Sequence, residues 1–181
     1  MTEFTTSAVY DVWDVLTARM RNVSWPAPPD GTQDNVAVWF GDPRQPNVDE
    51  HGNPPNATEC VVVVSMVETP DTEWGAIGQL AREEQFRIPV FVETLLQGRD
   101  SAEVRLRLQQ LTSAIEADIR LVQAGARTGA HQPDEFFKYE RWNWAVSSVK
   151  PIVLGGEAGY VGQAEVVIGC SFRVNKPHRT E

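Results

Sequence analysis

The 181-residue chain is poor in the groups that most enzyme and metal chemistry needs. It holds two cysteines, Cys60 and Cys170, and three histidines, His51, His131 and His178. No Cys-x-x-Cys pair occurs and no two histidines stand close together, so the spacing of a structural zinc site is missing. Both cysteines sit inside apolar runs, ECVVVVSMV and EVVIGCSFRV, and read as small buried hydrophobes. A disulfide would need their two strands adjacent and in register, which spacing does not decide. No run of about 18 apolar residues is present, so no membrane-spanning helix is expected. The opening MTEFTTSAVYDVW carries acids early and lacks a basic start with an apolar run behind it. No secretory signal is therefore expected, the reducing cytoplasm is the expected compartment, and the Asn-x-Ser/Thr sequons at Asn22 and Asn56 carry no weight. Cations are scarce too: 16 Lys and Arg stand against 25 Asp and Glu, a net charge of −9. Tight nucleic-acid binding requires clustered cations to displace phosphate counterions, so that class is disfavoured, while a channel along which DNA slides without sticking is compatible.

Motifs of catalysis are equally thin. There is no G-x-S-x-G elbow. The glycine-rich GGEAGYVG, Gly155 to Gly162, precedes a strand instead of opening a helix, so it reads as a hairpin turn and not as a phosphate cradle. The metal-capable DEHG, Asp49 to Gly52, reads as a solvated turn, and Glu83 with Glu84 as solvated acids at the start of a strand. These readings predict no enzyme activity, no cofactor and no metal.

The content is a pattern of elements. Val9, Val12, Trp13, Leu16 and Met20 follow helical spacing over about Ser7 to Arg21, with Thr6 or Ser7 as cap. A proline-rich loop, SWPAPPDGTQD, leads to a short strand, NVAVWFG. CVVVVSMVE is apolar on both parities and reads as a strand covered on both faces. Two long loops, 42–58 and 68–82, flank it, and loops of that length tend to be functional. In the next strand Phe86, Ile88, Val90 and Val92 share one parity, while Arg87, Pro89, Phe91 and Glu93 share the other. Pro89 cannot donate to a ladder, which predicts a sheet edge or a bulge. Asp100 and Glu103 form a capping box before a helix over about Ser101 to Gln123, whose stripe is Val104, Leu108, Leu111, Ile115, Ile119 and Val122, with Arg105, Arg107, Gln109, Glu116 and Arg120 on the remainder and Gly125 as terminator. FFKYERWNWAVSSVKPIVLGG reads as a strand, and YVGQAEVVIGCSFRVN is the cleanest alternation in the chain. The order predicts a single α+β domain over 1–181: one mostly antiparallel β-sheet of about five strands with two helices packed on one face.

Six tryptophans are unusual for this length. Trp13 and Trp39 read as core. Trp25 and Trp74 stand in loops. Trp142 and Trp144 stand on a strand beside Phe136, Phe137 and Tyr139, interleaved with Lys138 and Arg141. Two uses of these aromatics compete: a roof over the sheet face away from the helices, or a protein–protein surface, in which Trp, Tyr, Phe and Arg are enriched. A stacking platform for single-stranded nucleic acid is a third, disfavoured by the acidic balance.

An amphipathic first helix ending VLTARMRN, a strand of the form F-x-I-P-V-x-V, a helix beginning DSAEVRLRL, and a glycine turn into GQAEVVIGCSFRV follow one another across nearly the whole chain. In this order they resemble the tail terminator family, also called tail-completion or head–tail joining proteins, of long-tailed siphovirus bacteriophages, particularly those of actinobacteria. The resemblance implies a structural virion protein: a ring, typically of six copies, that caps the capsid-proximal end of the tail tube, stops its polymerisation and joins the tail to the head. Its implied partners are its own copies, the tail tube protein and the head–tail connector protein, with DNA passing through the channel without specific binding and no membrane involved. Its implied place is the tail of the virion, after assembly in the host cytoplasm. A ring needs two different patches on each subunit. The candidates are the Pro89 strand, with Arg87, Pro89, Phe91 and Glu93, and the aromatic strand, with Tyr139, Arg141, Trp142 and Trp144; Trp74 in the second long loop is a further interface candidate. Another head–tail connector or adaptor, a minor tail protein, and a small cytoplasmic α+β enzyme remain the alternatives at this point.

Overall fold

The cap before the long helix forms as its residues require. Asp100 Oδ1 accepts from the backbone N–H groups of Ala102 and Glu103 at 2.8 and 2.9 Å, and Glu103 Oε2 accepts from the Asp100 N–H at 3.2 Å. Donors left over by the first helical turn are thereby satisfied. In the computed structural model, which describes residues 7–28, 36–43, 58–67, 81–96, 99–128, 133–139, 141–156 and 159–175, this is helix α2, Ser101–Thr128. It follows α1 (Ala8–Asn22), β1 (Val36–Gly41), β2 (Glu59–Val64) and β3 (Ala81–Leu96), and precedes a 3-10 helix (Asp134–Lys138), β4 (Arg141–Gly156) and β5 (Gly159–Asn175). Ser7 caps α1, its Oγ accepting from the Val9 N–H at 3.3 Å. Gly125 does not end α2: it is buried within the helix, where packing outweighs the roughly 1 kcal/mol that a helical glycine costs. Phe136 to Lys138, expected as strand, form the 3-10 helix instead.

The five strands make one sheet in the order β1-β2-β3-β5-β4. β1 runs parallel to β2 and every other pair is antiparallel, so the chain is an α+β protein with a mostly antiparallel sheet. A single apolar cluster joins the stripe of α2 from Leu108 to Val122, the buried side of α1 and one parity of the strands, including Val61, Val63, Ile88, Val90, Val166 and Ile168. Each such side chain contributes about 1.5–3 kcal/mol relative to exposure, an upper figure because unfolded chains already bury some surface. Gly162 lets α2 approach the sheet: a Cβ there would meet Val104 Cγ1 at 2.9 Å.

β3 is not an edge strand; it is the third of five. The physical reason for Pro89 is local. The β2–β3 ladder ends at Val63 opposite Val90, while β3 continues along β5 from Ala81 to Leu96. The Leu95 N–H donates to Thr58 O at 2.9 Å, so strand alternation turns the nitrogen of Pro89 to the same, β2 side. The missing donor therefore falls where β2 turns away. The long edge belongs to β4. There the Trp144 N–H donates to Gln123 Oε1 of α2 at 3.0 Å, and the register slips by one residue between Val146 and Ser148. That slip turns the nitrogen of Pro151 to the open side. A bulge and an outward proline are the features that keep an edge from adding further strands.

One buried ion pair ties the layers together. Arg107 donates from Nε and Nη2 to Glu59 at 2.6 and 2.5 Å, and from Nη1 to the carbonyls of Pro26 and Ala27 at 2.6 and 3.2 Å. Thr94 Oγ1 donates to the same carboxylate at 2.9 Å. Arg107 and Glu59 are both buried, and every one of these contacts offsets desolvation.

Candidate docking surfaces

Side chains of β3 alternate, so Arg87, Pro89, Phe91 and Glu93 all lie on the sheet face opposite the apolar cluster. Arg87 is exposed and the other three are half-buried. Register extends this face across the sheet. Trp39, Val62, Phe91, Glu165 and Lys150 form one row over all five strands, closed by a Lys150–Glu165 ion pair at 2.7 Å. Ala37, Cys60, Glu93, Gln163 and Ile152 form the next, where Gln163 Nε2 donates to Glu93 at 2.7 Å. Arg141 lies on the same face, opposite Arg173 of β5, and is exposed.

The aromatic strand behaves differently from expectation. Tyr139, Trp142 and Trp144 are buried, and with Phe136 and Phe172 they make edge-to-face and stacked ring contacts inside the core, with centroids 4.9 to 6.5 Å apart. These three cannot present a surface to a neighbour; they roof the core side of the sheet, not the opposite one. What β4 turns outward at this end is Arg141, Asn143 and Ala145. Trp74, the three histidines and most of the two long loops lie outside the described residues.

Pro89 and Phe91 line a cleft of about 410 Å³. It lies where β2 departs from β3, and Val64, Met66, Val67, Asp42 and Glu165 also line it. Its walls are mainly apolar, and an apolar concavity rimmed by a few polar groups suits an inserted side chain of a partner.

Sequence reasoning did not single out the exposed apolar side chains of β4 or Tyr10 of α1. On the open end of β4, Val149, Ile152 and Leu154 are 39%, 55% and 51% exposed. Their signal was present: Ile152, Val153 and Leu154 are apolar in succession, breaking the alternation before a glycine turn. On α1 and the 3-10 helix, Tyr10 and Phe137 are 60% and 62% exposed.

The titration of the cysteines fits burial. Cys60 lies beside Glu93 in the sheet, and burial first, then that carboxylate, pushes its thiol up to about 12; burial likewise raises the thiol of Cys170. β3 separates their strands and they face opposite sides, so both are free thiols. Neither has the depressed pKa of a nucleophilic cysteine. Among the described residues, no group of three or more His, Cys, Asp or Glu side chains is placed to hold a metal ion. The surfaces described can bind through shape, apolar contact and charge. Against known protein families and curated proteins, the sequence matches none.

Proposed function

We propose that the protein is a structural virion component that assembles into a ring, typically of six copies, at the capsid-proximal end of a phage tail tube. There it stops tube polymerisation and joins the tail to the head connector, leaving a channel for DNA. The observation that carries this reading is the inequality of the two sheet edges. β1 is short and lies beside α1, while β4 is long, blunted and apolar at its open end. Ring closure requires such a pair of unlike patches on every subunit. The order and lengths of the elements support it through the resemblance drawn from their sequences. The cleft beside Pro89 adds a socket on the sheet, lined by Asp42 and Pro43 just past the end of β1.

Two measurements test it. Light scattering with negative-stain imaging of the purified chain should give a closed ring of one stoichiometry. Virions assembled without the protein should carry tails longer than normal. Headless tails of normal length alongside tailless heads would instead assign it to the head side of the junction, and a monomer at every concentration would overturn the ring.

A further inference from the structure

The cleft beside Pro89 is rich in acceptors and poor in donors. Val64, Met66, Pro89 and Phe91 give it apolar walls, and its two charged side chains are both carboxylates, Asp42 and Glu165. Among the described residues that line it there is no Lys, Arg or His. Backbone donors are scarce as well: Pro89 has no N–H, and the Ser65 N–H is already given to Gly41 O at 3.1 Å. An anion entering the cleft would meet two like charges and few donors. A cation would meet two carboxylates, each able to accept several hydrogen bonds, and the ring of Phe91, and aromatic faces attract positive charge.

The sheet already shows one of these carboxylates holding a cation. Glu165 stands beside Phe91 in the β3–β5 register, on the sheet face opposite the apolar cluster. Lys150 of β4 reaches it at 2.7 Å and is itself exposed. A surface pair of this kind is weak and exchanges readily for a better-placed cation. The cleft's volume of about 410 Å³ is at the lower end of the range of ligand pockets, roughly 300–1,000 Å³, which suits a few side chains better than a large cofactor.

From this complementarity we infer that the cleft takes a basic side chain of a partner protein: an arginine presented next to an apolar residue, its guanidinium on the carboxylates of Asp42 and Glu165 and the apolar neighbour against Phe91 and Met66. Arginine suits the site better than lysine, because its planar fork binds carboxylates through paired hydrogen bonds and it is less strongly hydrated. Its stem is apolar and lies favourably along apolar walls. The inference rests on the reading of the chain as a docking protein and names the chemistry of one partner.

Saturation-transfer NMR, which reads a small ligand on a particle of any size, tests it on the full chain. The probes are acetyl-Phe-Arg-amide and acetyl-Phe-citrulline-amide, which has nearly the same shape without the charge. The arginine peptide is expected to bind at least about tenfold more tightly, the difference between a charge-assisted and a neutral hydrogen bond. Asp42→Asn/Glu165→Gln should remove most of that preference. Lys150→Ala should tighten the arginine peptide about two- to fivefold by freeing Glu165, a gain that damage to the fold would not produce. Circular dichroism of each variant should match that of the wild type. Equal binding of the two peptides, binding of neither, or a preference that survives Asp42→Asn/Glu165→Gln would each overturn the inference. If that double variant instead loses the self-assembly of the wild type, the occupant is a second copy, and the inference falls while the ring reading stands. The ring reading is judged separately by the stoichiometry of the wild type, and a monomer would overturn it without touching the peptide result.

Discussion

β3 and β4 are each 16 residues long and each carries a proline in its second half, yet one is interior and the other is an edge. In β3 the proline nitrogen faces a neighbour that has just ended; in β4 it faces no strand at all. A proline thus reports one missing ladder bond, not the rank of its strand in the sheet. The rest of the contrast follows from neighbours. β3 is flanked on both sides, and its core residues Ile88, Val90 and Val92 are fully buried, whereas β4 buries Trp142 and Trp144 near its start and exposes Ile152 and Leu154 near its end.

The largest test of that contrast lies in the node tied to β3. Arg107→Ala leaves the buried Glu59 carboxylate, shared with Thr94, without its partner, and should lower unfolding stability by about 3–5 kcal/mol in urea titrations. Next comes a matched pair. Ile88→Ala in β3 should cost about 2–5 kcal/mol. Ile152→Ala in β4 should stay within about 0.5 kcal/mol, since it is exposed in the isolated chain. Equal losses at the two sites would break the comparison. The prolines give a smaller effect of a different kind. Pro151→Val restores an outward N–H on the free edge and should raise light scattering on concentration, while Pro89→Val should leave solubility unchanged. Smallest near neutrality is the effect of Cys60, which flanks β3 on its outer face. Its thiol is raised from the ordinary 9.0 to about 12 in the folded chain. The folded state therefore holds the proton more tightly, so its contribution is fully present below about pH 9 and is lost as pH rises from there toward 12. Native Cys60 should resist alkylation at pH 8 and react on unfolding.

Much of this was legible in the residues. The capping box at Asp100 and Glu103, the stripe of α2 and the alternation of β5 are local patterns whose periods are set by the backbone. Arg107 was read as part of the polar side of α2. Its position next to Leu108 and one turn from Val104 and Leu111 is the hint that it borders the core, but its partner Glu59 is 48 residues away. Trp142 and Trp144 were placed on one parity correctly. Which face that parity meets depended on where the helices fell.

By itself the sequence determined the elements and their inward and outward sides, because hydrophobic spacing and capping act within a few residues. Only the tertiary structure decided that β4 is the long edge, that Arg107 and Glu59 meet, and that Trp142 and Trp144 turn into the core. Strand order and long-range pairing depend on residues far apart in the chain, and no local pattern encodes a neighbour that distant.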